Sequence, residues 1–188
     1  IFHLAAQSLV LKSYEDPYET YTTNFISTLN LLENLRVLNF PTNVILITSD
    51  KSYKNLEKKN GYKEESQLGG DDPYSGSKAS TEMMIQSYVK SYFLKNKIVK
   101  IAVARAGNVI GGGDWSNDRI IPDAIKSWFT KNILFIRNPS ATRPWQHVLE
   151  PLFGYLFLSY YLSNNKIKKG DIFNFGPKRI NNKTVLEI

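Results

Sequence analysis

Residues 44–51 read Val-Ile-Leu-Ile-Thr-Ser-Asp-Lys and join an uninterrupted aliphatic run directly to a polar tip. Four consecutive aliphatic side chains put apolar groups on both faces of a strand, which is typical of the middle of a parallel sheet. Ligands of open parallel sheets bind beyond the carboxyl ends of the strands. The stretch therefore predicts a buried strand, with Ser49, Asp50 and Lys51 as candidate site residues at its carboxyl end.

The segments around this strand alternate between strand and helix patterns. In the first half, the predicted elements are strands over residues 1–4, 44–47 and 99–104, helices over residues 19–38 and 74–95, and a polar loop over residues 55–72. Strands and helices that alternate at these lengths imply right-handed βαβ units. The predicted fold class is α/β, with a doubly wound parallel sheet that is Rossmann-like and partial.

Helical spacing and capping chemistry give more detailed expectations for the two long helices. Asp72 is the predicted N-cap of the second helix, and Pro73 lies in its first turn. The side chains expected to face the core are Phe25, Leu29, Leu32 and Leu35 in the first helix, and Met83, Val89 and Phe93 in the second.

The second half of the chain is less regular. Its predicted elements are helices over residues 121–129 and 153–162, strands over residues 133–136 and 172–175, and a loop over residues 140–146. We therefore place a partial Rossmann-like, cofactor-binding domain at residues 1–106. Residues 107–188 are predicted to form a smaller substrate-binding lobe with elements that return to the sheet.

Composition excludes several kinds of chemistry. The chain has 188 residues, of which 42% are hydrophobic and 22% charged, as expected for a globular protein. It has no cysteine, which removes disulfides and thiolate catalysis, and its only histidines, His3 and His147, are far apart in sequence. We therefore predict no metal site.

The charge balance bears on possible partners. The net charge is +7 and the pI is about 9.4, but the lysines are scattered along the chain. This distribution favours a solvated surface, or an anionic substrate, over a nucleic-acid-binding module, which would need a contiguous basic face. No signal peptide or membrane-spanning stretch is visible, because the most apolar segment, residues 152–162, is too short. We expect no membrane partner and a cytoplasmic location.

Tyr74 and Lys78 are four residues apart and share one face of the second predicted helix. A free tyrosine has a pKa of about 10, and a neighbouring ammonium would favour its phenolate. Tyr74 would then serve as an acid or base toward a substrate hydroxyl. This spacing alone is a weak signal. Its weight comes from the polar residues that follow three separate strands, namely Gln7, the Ser49 to Lys51 tip and Asn108.

The glycine-rich stretch over residues 107–113 does not carry a phosphate-loop motif. Gly113 and Asp114 stand where a P-loop requires Lys and Ser or Thr, and no Gly-x-Gly-x-x-Gly occurs. If the chain belongs to a dinucleotide enzyme, its pyrophosphate loop is expected upstream of Ile1. The chain looks like a fragment that lacks this loop.

Several longer strings resemble the extended short-chain dehydrogenase/reductases, the NAD-dependent epimerases and dehydratases, and within them the CDP-glucose 4,6-dehydratases. The matching segments cover nearly the whole chain. They are residues 3–7 (His-Leu-Ala-Ala-Gln), 23–24 (Thr-Asn), 48–51 (Thr-Ser-Asp-Lys), 72–78 (Asp-Pro-Tyr-Ser-Gly-Ser-Lys), 104–115 (Ala-Arg-Ala-Gly-Asn-Val-Ile-Gly-Gly-Gly-Asp-Trp), 118–123 (Asp-Arg-Ile-Ile-Pro-Asp), 143–151 (Arg-Pro-Trp-Gln-His-Val-Leu-Glu-Pro) and 174–177 (Asn-Phe-Gly-Pro).

The resemblance implies an internal redox cycle on bound NAD that converts CDP-glucose to CDP-4-dehydro-6-deoxyglucose, a step of deoxysugar synthesis for lipopolysaccharide O-antigen. It also implies a nucleotide-sugar substrate and a possible homodimer. The roles it assigns are catalytic for Ser49, Asp50, Lys51, Tyr74 and Lys78, cofactor-binding for Ala5, Ala6, Gln7, Asn24, Tyr74 and Lys78, and substrate-binding for Asn108, Arg119 and Arg143.

Lys51 departs from the related dTDP-glucose dehydratases, which carry Glu at that position as the proposed base for the C5 proton. This difference favours the CDP-sugar subgroup and leaves the identity of the base open. Another nucleotide-sugar enzyme, a dTDP-glucose 4,6-dehydratase or a 4-epimerase, is the alternative. It would share Tyr74 and Lys78 but would not demand Asp50 and Lys51.

Overall fold

A four-stranded parallel sheet forms the centre of the protein, in the order Phe2–His3 (β1), Thr42–Ser49 (β2), Val99–Ala106 (β3) and Ile172–Phe175 (β7). The structure is a computed structural model that describes residues 1–58, 60–178 and 183–188. The strands are β1 Phe2–His3, β2 Thr42–Ser49, β3 Val99–Ala106, β4 Val109–Ile110, β5 Thr142–Arg143, β6 Gln146–His147, β7 Ile172–Phe175 and β8 Lys183–Thr184. The α-helices are α1 Val10–Glu15, α2 Pro17–Tyr21, α3 Ser27–Arg36, α4 Pro73–Tyr88, α5 Ile120–Thr130 and α6 Leu149–Ser163.

Helices cover both faces of this sheet, which confirms the predicted doubly wound α/β class. On one face, α3 and α4 bury Leu32, Leu35 and Ile85 against alternate residues of β2 and β3. On the other face, α6 buries Tyr155 and Leu158 against the remaining alternate residues of those strands. The aliphatic run of β2 therefore contributes to both cores, as an all-parallel sheet requires.

The first long helix is not one regular α-helix. A π-helical segment, Thr22–Ile26, joins α2 to α3. A π-helical hydrogen bond spans one more residue than an α-helical one. The segment therefore shifts which side chains face inward. Leu32 and Leu35 are buried as predicted, whereas Phe25 and Leu29 are only half-buried and the polar Asn24 and Thr28 take the buried positions. The predicted apolar face is correct only in its second half.

Helix α4 begins at Pro73 and continues into a π-helical segment, Val89–Phe93. Val89 and Phe93 are buried as predicted, but Met83 is 62% exposed and its placement in the core was wrong. The buried stripe of α4 passes through Tyr74, Lys78 and Glu82, and Met83 is rotated about 100° from Glu82 around the helix axis. Polar residues occupy the face that a hydrophobicity pattern assigned to Met83.

The second half shows two further differences. Residues 133–136 form no strand, and Ile133 is 97% exposed, because no described strand lies beside them to pair with. The loop predicted over residues 140–146 contains the short strand β5 and the first residue of β6, and β6 pairs in parallel with β4. Helix α6 and strand β7 form as predicted, and β7 pairs with β3. The domain boundary at residue 106 stays a prediction.

Helix α6 packs only one face on the sheet. Tyr155, Leu158 and Leu162 are buried, whereas Phe153 and Leu156 on the opposite face are 62% and 60% exposed.

Among the residues that the structure describes, no helix combines the length and the apolar character needed to span a membrane.

The N-cap of α4 provides a test of the fold. The Asp72 carboxylate accepts hydrogen bonds from the Ser75 backbone amide at 2.9 Å and the Ser75 hydroxyl at 2.6 Å. We expect Asp72→Ala to lower the free energy of unfolding by about 1 kcal/mol, measured by urea denaturation, because a helix amide loses its partner. Asp71→Ala, an exposed neighbour outside the cap, is the control. Equal losses in the two variants would contradict the capping role.

Candidate active site

The three residues Ser49, Asp50 and Lys51, here called the Ser-Asp-Lys tip, lie at the carboxyl end of β2. Asp50–Ser52 forms a 3-10 turn directly after the strand. The Ser49 hydroxyl donates to Asp50 Oδ1 at 3.1 Å and accepts from the Lys51 backbone amide at 3.2 Å. Ser49 is buried, whereas Asp50 and Lys51 are half-buried. The tip therefore presents a hydroxyl, a carboxylate and an amine at the edge of the sheet where ligands bind.

The Tyr74 phenol lies with this tip. Tyr74 is 8% exposed, and its backbone amide donates to the Ser13 hydroxyl at 3.1 Å. Burial raises the pKa of the phenol; a side-chain hydrogen bond with Ser49 and the charge of Arg119 act in the opposite direction. The negative charge of Asp50 raises the pKa further. Ser49, Asp50, Tyr74 and Arg119 therefore form one electrostatic group.

Lys78 lies one turn further along α4 and is 7% exposed. Burial lowers the pKa of its amine to about 8. No hydrogen bond or ion pair joins this amine to any other described residue. Its charge acts instead on His3, whose pKa is lowered by burial and by Lys78.

This arrangement corrects the expected effect of Lys78 on Tyr74. The sequence predicted that the amine would stabilise the phenolate and lower the pKa of Tyr74. In the structure the pKa of Tyr74 is raised, because the loss of solvent around a buried phenolate outweighs the nearby favourable groups. Ser49 and Arg119, rather than Lys78, are the groups that favour the anion.

Gln7 and Asn24 form a clamp between the end of β1 and α4. Asn24 accepts from the Gln7 backbone amide at 2.8 Å and donates to the Ser77 hydroxyl at 2.9 Å. The Gln7 side chain donates to the Thr20 hydroxyl at 2.9 Å. Both side-chain amides are therefore used inside the protein. Ala5 is exposed and Ala6 half-buried, at the carboxyl end of β1.

The second half of the chain brings one predicted residue, Arg119, into the electrostatic group. Arg119 donates to the Ser8 hydroxyl at 2.6 Å and forms an ion pair with Asp114 at 3.2 Å. Asn108 is half-buried and its backbone carbonyl accepts from Gln146. Arg143 donates to the Thr142 carbonyl at 2.8 Å and makes no hydrogen bond or ion pair with the described residues of the tip. Its role in substrate binding stays a prediction.

Sequence reasoning missed three residues around the site. His3, half-buried at the end of β1, bonds with the Thr28 hydroxyl at 3.0 Å and lies near Lys78. Glu82 and Arg105 form a buried ion pair directly behind the tip. The spacing of Tyr74, Lys78 and Glu82 at intervals of four was a usable signal for Glu82, since all three share one helix face.

Among the described residues, no three His, Asp or Glu side chains are grouped to hold a metal ion.

The residues present fit a dinucleotide. A buried amine with hydrogen-bonding capacity unused by the described residues suits ribose hydroxyls, and Lys78 supplies it one helical turn from Tyr74. Both side chains lie on the α4 face that packs near the carboxyl ends of β1 and β2. Open parallel sheets bind dinucleotides in the crevice at that edge.

Comparison with known proteins agrees with this geometry. The family model described as GDP-mannose 4,6 dehydratase matches residues 1–156. The chain is 46% identical to the CDP-glucose 4,6-dehydratase of Salmonella typhimurium over 98% of its own length and 53% of that protein. It is 27% identical to the CDP-paratose 2-epimerase of Salmonella typhi over 100% of its length and 60% of that protein.

Solved structures show the same fold. The UDP-glucuronic acid 4-epimerase of Bacillus cereus, in complex with NAD, superimposes with a TM-score of 0.84 at 24% identity, over 98% of this chain and 55% of that one. A dTDP-glucose 4,6-dehydratase double mutant from Streptomyces venezuelae, also with NAD, gives 0.82 at 21% identity, over 98% of this chain and 53% of that one.

The fold and the site define a Rossmann-like α/β domain whose polar site lies at the carboxyl ends of the parallel strands. The chain belongs to the GDP-mannose 4,6 dehydratase family of NAD-dependent epimerases and dehydratases, as the resemblance of its motifs predicted. It spans about half the length of the curated relatives it matches, with 53% of the Salmonella typhimurium enzyme covered.

The buried amine of Lys78 gives a pH-dependent prediction. Its pKa is about 8 in the folded protein against 10.5 for an ordinary lysine, so between these values the unfolded chain binds more protons. Stability therefore gains a contribution that rises with pH through this window, on the order of 3 kcal/mol. We expect Lys78→Met to remove this contribution in urea denaturation measured from pH 7.5 to about 10.

An exposed lysine on the same helical stretch supplies the matched control. Lys90→Met should keep the wild-type pH dependence, because Lys90 is exposed. A Lys78→Met variant whose stability follows the wild-type curve through this window would show that the amine is solvated in the folded protein.

Proposed function

We propose that the protein containing this chain is an NAD-dependent CDP-glucose 4,6-dehydratase. The observation that carries the proposal is the grouping of the Tyr74 phenol with Ser49 and Asp50 at the carboxyl end of β2. The 46% identity to a CDP-glucose 4,6-dehydratase supports the substrate assignment. A sugar dehydratase needs a base for one hydroxyl and an acid for another within one site, and this group supplies both.

Bound NAD would supply the hydride acceptor and donor of the reaction. On the protein side, Lys78 would hold the ribose hydroxyls with its amine, which no other described residue engages. Ala5, Ala6 and the backbone of Gln7 would line the cofactor at the end of β1. Asn24 would act on the cofactor indirectly, because its side chain fixes Gln7 and Ser77.

Tyr74 would take the proton from the 4-hydroxyl of the sugar as C4 is oxidised to the ketone. Ser49 would hydrogen-bond the same oxygen and the phenol. Because burial raises the pKa of Tyr74, the free phenol is protonated at neutral pH. The oxidation step should therefore speed up as pH rises above neutral.

The Ser-Asp-Lys tip would carry out the elimination. A ketone at C4 acidifies the hydrogen at C5, so water can leave across C5 and C6. Asp50, half-buried beside Ser49, would protonate the departing 6-oxygen, and Lys51 would assist proton removal at C5. Addition of a hydride at C6 and return of a proton to C5 would then give the 4-keto-6-deoxy sugar.

The arginines of the second lobe would meet the diphosphate of the substrate. Arginine donates in a fixed fork that matches phosphate oxygens. Arg119 is already close enough to influence Tyr74, so it would bring the diphosphate next to the reacting sugar. Asn108 and Arg143 would complete substrate binding.

A nucleotide-sugar 4-epimerase is the second candidate function. The 24% identical structural neighbour from Bacillus cereus is a UDP-glucuronic acid 4-epimerase, and the fold serves both reactions. A 4-epimerase needs Tyr74 and Lys78 but no acid for a departing hydroxyl. Incubating the full-length protein with CDP-glucose separates the two, because only the dehydratase forms a 4-keto-6-deoxy product.

The proposed reaction also bears on where the protein acts and how it assembles. NAD and nucleotide sugars are cytoplasmic metabolites, so we place the enzyme in the cytoplasm, where its product would serve deoxysugar synthesis for O-antigen. We propose a homodimer as its assembly. These three statements rest on the proposed reaction and on the family.

The base role of Tyr74 is tested by Tyr74→Phe in the full-length protein. We expect at least about a 100-fold loss in oxidation of the sugar, with bound NAD retained, because only the proton acceptor is removed. The measurement is product formation from CDP-glucose, with cofactor content read from the nicotinamide absorbance. Tyr92→Phe, on the exposed side of the same helical stretch, is the control. Full turnover in Tyr74→Phe would refute the assignment.

The acid role of Asp50 is tested by Asp50→Asn. The amide keeps the size of the carboxyl group but cannot donate the required proton, so elimination should slow by about 100-fold or more. Oxidation should continue, and reduced nicotinamide should accumulate after mixing with CDP-glucose in stopped-flow absorbance. Asp71→Asn, in the exposed loop before α4, is the control. Dehydration at the wild-type rate would place the acid elsewhere.

A further inference from the structure

Glu82 is the third member of the buried stripe that begins with Tyr74 and Lys78. It is 0% exposed, and Arg105, its partner at the carboxyl end of β3, is 1% exposed. Arg105 Nε donates to Glu82 Oε2 at 2.9 Å, and a second guanidinium nitrogen donates to Oε1. The pair is therefore a bidentate contact between a helix and a strand, in a fixed relative orientation.

The other donors to Glu82 bracket the Ser-Asp-Lys tip. The Thr48 hydroxyl, one residue before the tip, donates to Glu82 Oε2 at 2.9 Å. The Ser52 hydroxyl, one residue after the tip, lies 3.2 Å from the same oxygen and 2.7 Å from the Ser49 carbonyl. Oε2 of Glu82 therefore bonds to the residues on both sides of the Ser-Asp-Lys tip.

Arg105 extends the same network to the outer side of the tip. Its Nη1 donates to the Tyr53 hydroxyl and to the Glu64 carbonyl. Its guanidinium lies 4.6 Å from the centre of the Tyr53 ring. The Tyr53 hydroxyl in turn donates to Asn174 Oδ1 of β7 at 2.7 Å. The segment that follows the tip is therefore held from β3 and β7 together.

The backbone of the segment is paired with β3 up to Ser49, and the Ser52 carbonyl accepts from the Gly69 amide at 2.9 Å, but among the described residues the Glu82 contacts are the side-chain bonds that join both ends of the tip to α4. The side-chain bonds of Ser49 go to Asp50, to the amide of Lys51 and to Tyr74, all of them members of the site itself. The Tyr74 backbone, by contrast, is held separately, by the Ser13 hydroxyl. Loss of the Glu82 contacts should therefore displace the tip relative to the phenol, rather than displace the phenol.

We propose that Glu82, paired with Arg105, is a positioning residue that sets the distance between the Ser-Asp-Lys tip and Tyr74. The inference deepens the proposed function, because the tip carries the acid of the elimination. A buried ion pair contributes little net stability compared with apolar side chains of the same size. Its use here is to fix geometry, since a misplacement of about 1 Å in an active site costs about 100-fold in rate.

The first measurement needs neither substrate nor cofactor. In the full-length protein, Glu82→Gln should speed amide hydrogen exchange in a peptide covering residues 48–53 by on the order of tenfold, while exchange in the middle of β3 stays unchanged. The control is Ile85→Ala, which removes a fully buried core side chain one turn along α4 without touching the network. The proposal is overturned if amide exchange in residues 48–53 is unchanged in Glu82→Gln, or if Ile85→Ala raises it equally. This holds whatever reaction the protein catalyses.

The second measurement follows the two chemical steps with CDP-glucose in stopped flow. Glu82→Gln should slow elimination more than oxidation, by about tenfold to 100-fold, so that reduced nicotinamide accumulates. Ile85→Ala should leave the ratio of the two rates unchanged. Equal slowing of both steps in Glu82→Gln overturns the positioning role. A wild-type protein without activity on CDP-glucose overturns the proposed function instead, and hydrogen exchange still decides the positioning.

A double variant separates positioning from the harm of an unpaired charge. The double variant Glu82→Leu with Arg105→Met removes both charges. It should therefore have a higher melting temperature than Glu82→Gln, in which Arg105 stays charged and buried. The proposal expects fast amide exchange in residues 48–53 and accumulation of reduced nicotinamide to persist in the double variant. The Thr48 hydroxyl still lacks its carboxylate acceptor, and the Ser52 hydroxyl keeps only its bond to the Ser49 carbonyl inside the turn. If amide exchange in residues 48–53 and the level of reduced nicotinamide both return to wild-type values in the double variant, the proposal is overturned.

Discussion

The buried contact between Glu82 and Arg105 joins the three elements that form the candidate site. Helix α4 supplies the carboxylate and β3 the guanidinium, while Thr48 of β2 and Ser52 of the turn after it supply hydroxyls that bond to the carboxylate. A buried charge without partners is costly, so these elements are stable only in the relative positions that satisfy every donor and acceptor. The parallel register, with Thr48 opposite Arg105, brings the partners together. The location of the Ser-Asp-Lys tip follows from this constraint.

The same burial controls the chemistry of the phenol. Tyr74 is removed from water, and this raises its pKa despite the nearby Ser49 and Arg119. Lys78 is also buried, which lowers the pKa of its amine to about 8. The free protein therefore holds a neutral phenol and, one helical turn further along α4, an amine whose pKa is lowered by burial. Ligands that bring charge or hydrogen bonds into this crevice will shift both equilibria.

Polar contacts also replace hydrophobic ones between the two long helices. Asn24 bonds with Ser77, and the Thr81 hydroxyl lies 3.2 Å from the Asn24 carbonyl. This polar seam explains why hydrophobic periodicity placed Phe25 and Met83 incorrectly. A pattern based on apolar spacing cannot detect a helix face that is buried through satisfied hydrogen bonds. The π-helical segment at Thr22–Ile26 adds a shift in phase that spacing alone does not reveal.

The sequence by itself determined the features that depend on neighbouring residues. The aliphatic run of β2, the Asp72 cap and the four-residue spacing of Tyr74 and Lys78 predicted the α/β class and the edge where the site lies. Its motifs also predicted the family. Only the tertiary structure decided the partners of buried polar groups, because Glu82 and Arg105 are 23 residues apart in the chain. Desolvation likewise depends on the whole packed environment, so the direction of the Tyr74 pKa could not be read from the spacing of Lys78.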